Sequence, residues 1–259
     1  MKTLHRLAVL VDSCLLPSVN GGGSPLPEWI LRGLERGTPG AAVHAYEPAA
    51  ARAAADAVRA ALPDALTAHC GPVGAAVGGG AAAAASMAAG ANLHLGVRPG
   101  ARPGETRAFV TDLQTYGVAA ALGPFTGAGN LLPFAEGTAA GVRAISAAVP
   151  AALHSHAITG VLRGELGYTG VVLSDTLDAP SIVDGWGVPG AAVLAWIAGV
   201  DLIRLGPASG PGVRDAIHAA TARAVSDGDL PLSRLEEAAE RVARLRRWAS
   251  NPLAQPCGA

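Results

Sequence analysis

Apolar runs of five or six residues alternate along the chain with longer amphipathic or alanine-rich segments. Eight of these runs read as strands: 7–11, 41–46, 65–70, 91–95, 118–122, 143–148, 170–174 and 200–205. Their continuous hydrophobicity suits parallel strands covered on both faces rather than strands with one wet face. Helical spacing falls between them, at 27–36, 49–62, 75–89, 106–116, 134–140, 155–166, 190–198 and 213–226. A last helix is predicted over 233–248, with Ser233 as N-cap and Glu236 three residues on, the capping-box spacing. Leu235, Ala238, Ala239, Val242 and Leu245 give it one apolar face.

Strand and helix in strict alternation predict an α/β fold with a parallel sheet, and eight strands are the number that closes a (β/α)8 TIM-type barrel. The 259-residue length and 50% hydrophobic content fit a compact single domain over residues 1–250, with 251–259 a disordered tail after Pro252.

Composition narrows the function classes. A formal net charge of −1, with both signs scattered along the chain, gives no basic field for a nucleic acid and suits a small neutral or polar ligand. No run reaches the ~18 apolar residues that span a bilayer, because Asp201 interrupts the best candidate. The amino-terminal apolar stretch, cut short at Asp12, is too brief for a signal peptide, so a cytoplasmic location is expected. Cys14, Cys70 and Cys257 lack paired spacing, which agrees with a reducing compartment and no zinc site. No metal or cofactor is expected. Lys2 is the sole lysine among abundant arginine and alanine, a bias expected of a GC-rich bacterial genome. The glycine-rich GPVGAAVGGG stretch lacks both the GxGxxG order and a Walker lysine, so it reads as close backbone packing or a loop, not a phosphate cradle.

Chemistry concentrates in Gly160–Ile182, GVLRGELGYTGVVLSDTLDAPSI, where a helical segment turns through glycine into the strand Val171–Val172–Leu173 and stops at Asp175. The residue after a parallel strand emerges at its carboxyl end, where such folds place their chemistry. This segment resembles the nucleophile region of glycoside hydrolase family 3, in its β-N-acetylglucosaminidase branch. The matching positions are Glu165, Leu166, Gly167, Tyr168, Gly170, Val171, Val172, Ser174 and Asp175. The stretches AGVDLIRL and DGDLPLSRLEEAAERVARLRRW resemble the family's last strand and closing helix. Weaker similarity covers LPEWILRGLERG, GANLHLG and LPFAEGTAAGVRAIS. The resemblance implies a divergent, shortened barrel domain with Asp175 in the nucleophile position. Read without it, Asp175 caps the turn that follows its strand.

The chain departs from the family where sugar is held. Leu122 and Gly123 stand where the family has a Lys-His pair near its acid/base loop. His69-Cys70-Gly71-Pro72 replaces an Asp-x-Glu-Gly-Gly segment, LHLGVRPGARPG lacks the family's acidic residue, and Ala147-Ala148 replaces Ala-His. Arg98 or Arg102 offers a substitute for the family's sugar-binding arginine. New imidazoles stand at strand ends instead. His69 and His94 are assigned to substrate binding with Arg98, Asp178 and Trp186, the last as a stacking platform. His154 and His156 read either as an exposed helix-start turn or as the proton-transfer partners of Asp175. Asp12, Tyr46, Glu47 and Arg204 also fall at predicted strand ends, and Asp184 is a further loop carboxylate. His5, His44 and His218 read as surface or packing residues, and Trp29, Trp196 and Trp248 as core.

Three functions fit this reading. One is a glycosidase for a small glycoside or amino-sugar-related substrate. Another is a descendant that binds a carbohydrate-like ligand without turnover. The third is a non-hydrolytic biosynthetic step in which Asp175 serves as a base.

Overall fold

The computed structural model describes residues 2–21, 25–69 and 78–251. Its first element corrects the strand expected at 7–11: Lys2–Ser13 is a helix, α1. Leu7, Val11 and Cys14 recur at helical spacing and are all buried, so this apolar run forms one helix face instead of a strand. Two short strands follow, β1 at Leu15–Leu16 and β2 at Ser18–Asn20. Pro17 separates them, since it has no N–H to give to a ladder, although its carbonyl accepts from the Ala42 amide at 2.8 Å.

The remaining elements come in the expected order: α2 at Glu28–Arg36, β3 at Gly40–His44, α3 at Pro48–Ala61, β4 at Leu66–His69, α4 at Gly79–Ala88 and β5 at Leu93–Val97. Next are α5 at Glu105–Thr115, β6 at Ala119–Phe125, α6 at Leu132–Ala139 and β7 at Ala144–Ala147, then a π-helix at His156–Glu165. The chain continues through β8 at Val171–Ser174, α7 at Pro180–Ala198, β9 at Ile203–Arg204, α8 at Pro211–Asp227 and α9 at Leu232–Ser250. Two details differ from the sequence pattern. Helix α7 starts ten residues before the predicted position 190 and is broken inside by Gly187 at φ 64°. Helix α9 has Pro231 at its N-cap with no side-chain cap bond, so the Ser233–Glu236 box does not form. The predicted helix at 75–89 and tail at 251–259 lie partly outside the described residues.

Strands β2 to β8 make one curled parallel sheet in sequence order, and β1 pairs with β9. Backbone bonds also run from β8 to the β9 segment, with the Ser174 amide donating to the Leu202 carbonyl at 3.0 Å. The Ile203 and Leu205 amides donate to Cys14 and Leu16 at 2.9 and 3.0 Å. This is an α/β fold with a curled parallel sheet of the TIM-like kind.

Alternation along each strand sorts side chains into two cores. Leu16, Ala42, Ala68, Leu95, Ala121, Leu173 and Leu202 pack together on the concave face, where Val242, Leu245 and Trp248 of α9 join them. On the convex face, Val43 packs with Val19, Ile30 and Val58 beneath the helices. The parity decides which polar residues reach the concave side, and with it the site.

Candidate functional site

Asp175 directly follows β8 on the concave parity of Val171 and Leu173. Its amide donates to the Ala147 carbonyl at 2.9 Å, continuing the β7–β8 ladder one residue past the strand. The carboxylate accepts from the Thr176 amide at 2.8 Å and from Arg204 Nη1 at 3.3 Å, while its side chain keeps 55% exposure. A turn-capping bond is therefore present, yet most of the carboxylate stays open to a ligand. Ser174 beside it is buried and accepts the Arg204 amide at 3.0 Å, fixing β9 against β8.

Arg204 brings a second group to this rim. His44 at the end of β3 shares the concave parity, and Ser18 Oγ lies 3.0 Å from its Nε2 while donating to the Leu205 carbonyl at 2.5 Å. Burial pulls the His44 pKa below the ordinary imidazole value, and the positive charge of Arg204 adds to this, opposed by the Asp178 carboxylate. His44 is thus a neutral imidazole between a hydroxyl and an ion pair at neutral pH. Asp178 packs on Gly206, where any side-chain carbon would overlap its carboxylate. Ser18, His44, Asp175, Asp178 and Arg204 form one polar cluster at the carboxyl ends of β1, β3, β8 and β9.

The other predicted residues divide between this rim and elsewhere. His69 and His94 are neighbours in register but sit on convex parity. His94 is 1% exposed, its Nδ1 is 2.8 Å from Ser86 Oγ of α4, and its Nε2 has no partner among the described residues. Burial, with a contribution from His69, lowers its pKa to about 4. His69 is buried as well, with Nε2 3.3 Å from the Ala45 carbonyl. Neither histidine joins Asp175. The parity of Leu93–His94–Leu95, with leucines on the concave face, carries that information in the sequence.

His154 and His156 are exposed and line a cavity of about 420 Å³ with Thr126, Gly127 and Ala148, next to the loops that follow β6 and β7. Arg98 is exposed after β5, and Trp186 is 53% exposed in the first part of α7. Asp12 is not at a strand end, because its strand is a helix. It is buried at the end of α1, bound by Arg214 Nε and Nη2 at 3.0 and 2.6 Å and by His218 at 2.9 Å, which fastens α1 to α8. Tyr46 and Glu47 are exposed. Trp196 and Trp248 are core as expected, Trp29 only partly buried. Cys70 lies outside the described residues. Among the described residues no group of three His, Cys, Asp or Glu is placed to hold a metal, and no helix is long and apolar enough to cross a membrane.

Residues 127–245 match the model for the Glycosyl hydrolase family 3 N terminal domain. None of the curated proteins matches the sequence. A family 3 β-N-acetylglucosaminidase from Paenibacillus sp. superposes with a TM-score of 0.76 at 21% identity, over 97% of this chain and 64% of that one. A β-N-acetylhexosaminidase from Beutenbergia cavernae gives 0.75 at 19% identity, over 93% of this chain and 98% of that one. A β-glucoside phosphorylase bound to 2FGlc gives 0.70 at 13% identity, with 99% and 62% covered. The chain therefore spans under two thirds of some relatives' length and nearly all of another's. Its fold is theirs, and residues 127–245 are similar to the glycosyl hydrolase family 3 N-terminal domain.

Proposed function

We propose that this protein is a divergent family-3-like glycosidase acting on a small glycoside or amino-sugar-related substrate in the cytoplasm, with Asp175 as nucleophile. In this reading the β1–β9 pair and the β2–β8 sheet close as one (β/α)8 barrel within a single domain, and the substrate enters at the carboxyl rim. The observation that carries the proposal is Asp175 itself: a carboxylate at the end of a buried strand, anchored through its backbone, over half exposed and held by one long ion pair.

The chemistry follows from that position. The Asp175 carboxylate attacks the anomeric carbon and the glycosidic C–O bond breaks. The departing oxygen takes its proton from a histidine, and water then releases the sugar from Asp175. His154 and His156, beside the Thr126–Gly127 loop, supply that proton. Arg204 orients Asp175, and Ser18, His44 and Asp178 meet substrate hydroxyls. Arg98 and Trp186 are the outer contacts.

Incubation with aryl β-N-acetylglucosaminides and aryl β-glucosides tests this. Release of the aryl alcohol by the wild type and its loss in Asp175→Ala and in the His154→Ala/His156→Ala double variant are expected. Equal release by Asp175→Ala contradicts the assignment. A second reading, a binding protein without turnover, is favoured by Leu122 and Gly123 in place of the family's Lys-His pair and by the burial of His69 and His94 under the helices. It predicts saturable sugar binding with no release from any aryl glycoside.

A further inference from the structure

At the opposite, amino end of the strands, arginines collect around a cavity of about 610 Å³ that the proposed chemistry does not use. Its walls are the amino ends of β7 and β8, the turn after α6 and one face of α9. Arg143, Arg241, Arg244 and Arg247 line it, together with Thr138 and Trp248. The size falls within the usual range for small-ligand pockets, roughly 300–1,000 Å³.

The charge balance there is strongly positive. Arg163, Arg234 and Arg241 converge on Asp201, and Arg241 also approaches Glu237 at 3.8 Å. Arg244 and Arg247 both reach a single exposed carboxylate, Glu240, at 3.5 and 3.2 Å. Arg143 lies with its guanidinium carbon 4.8 Å from the centre of the Trp248 ring, which fixes its plane at the cavity wall. Thr138 Oγ1 is buried at the same wall with no hydrogen-bond partner among the described residues. Five guanidinium groups thus share three carboxylates, Asp201, Glu237 and Glu240, and a hydroxyl stands ready to donate.

We infer that this cavity is a binding site for a small ligand bearing a phosphate or carboxylate group. Planar guanidinium forks bind such oxyanions in two parallel hydrogen bonds. Arg244 and Arg247 are 54% and 59% exposed, so an entering anion exchanges with Glu240 without disturbing the core. Arg143 and Thr138 receive the anion from the buried side. The site is independent of turnover at Asp175.

Isothermal titration of inorganic phosphate and of citrate, each into the whole protein in a non-coordinating buffer at low salt, reads this directly. Saturable binding of at least one probe is expected, and which one binds identifies the anionic group. Arg244→Ala/Arg247→Ala weakens it tenfold or more, about the loss of one or two charge-assisted bonds. Glu240→Gln removes the competing carboxylate and tightens it, an effect that a merely structural pair would not give. Arg204→Ala, at the carboxyl rim, leaves it unchanged. The inference is overturned by no saturable binding of either probe. Wild-type affinity in the double arginine variant, no tightening in Glu240→Gln, or loss in Arg204→Ala also overturns it.

Discussion

Two aspartates at opposite ends of the sheet use arginine in opposite ways. Asp201, just before β9, is fully buried and takes Arg163 at 2.6 Å, Arg234 at 2.5 Å, Arg241 at 3.1 Å and the Val172 amide at 3.0 Å. Arg163 continues to the Tyr168 and Gly170 carbonyls at 2.9 and 2.7 Å, so one carboxylate ties the π-helix, β8, β9 and α9 together. Asp175, just after β8, has one arginine at 3.3 Å and is mostly open. A carboxylate saturated by buried cations is committed to holding structure, because removing it strands charges away from water. One that is half free can be approached by a ligand. The contrast separates a fastening residue from a candidate nucleophile without appeal to ancestry.

The largest test of this contrast is Asp201→Asn. Breaking a buried pair costs about 3–5 kcal/mol, so urea unfolding should show a loss of that order. Asp175→Asn should stay within about 0.5 kcal/mol of wild type, as an exposed substitution does. Equal losses from the two would erase the distinction.

The convex histidine sharpens it next. His94 titrates at about 4 in the folded protein against an ordinary 6.5, so below pH 6.5 the unfolded chain binds the extra proton. Its contribution is fully present above pH 6.5 and is lost as pH falls from 6.5 to about 4. The full shift corresponds to roughly 3 kcal/mol. Thermal melts across that window should show a steep acid limb that flattens in His94→Gln. An unchanged limb would mean that His94 is not buried as a neutral imidazole.

A smaller effect is expected where the carboxyl rim is tight. Gly206→Ala places a methyl group on the Asp178 carboxylate. Overpacking of this kind costs about 1–3 kcal/mol and should displace Asp178 from His44. If denaturation and sugar binding are both unaffected, the Gly206–Asp178 contact is not part of the site.

Much of this architecture can be read from the sequence, and the failures have physical causes. The run ending in Asp175 is flanked by a glycine turn and lies deep in the sheet, so its period and length specify β8 closely. The run at 7–11 is too short for period alone to separate a strand from one helix face, and the true first strand is interrupted by Pro17. His69 and His94 stand near strand ends, which points to the site, but position along a strand does not set the face; parity relative to Leu66, Ala68, Leu93 and Leu95 does. His44 reads as a surface or packing residue because no partner is near it in sequence: Ser18 is 26 residues away. The Asp201 cluster leaves almost no local signal, since its arginines come from positions 33 to 40 residues distant.

The most direct measurement is mass spectrometry of the protein after incubation with an activated 2-deoxy-2-fluoro glycoside, followed by peptide mapping. A single added sugar on the peptide carrying Asp175, absent from Asp175→Ala, is the predicted result. An adduct on another residue, or one that survives Asp175→Ala, would contradict the nucleophile assignment.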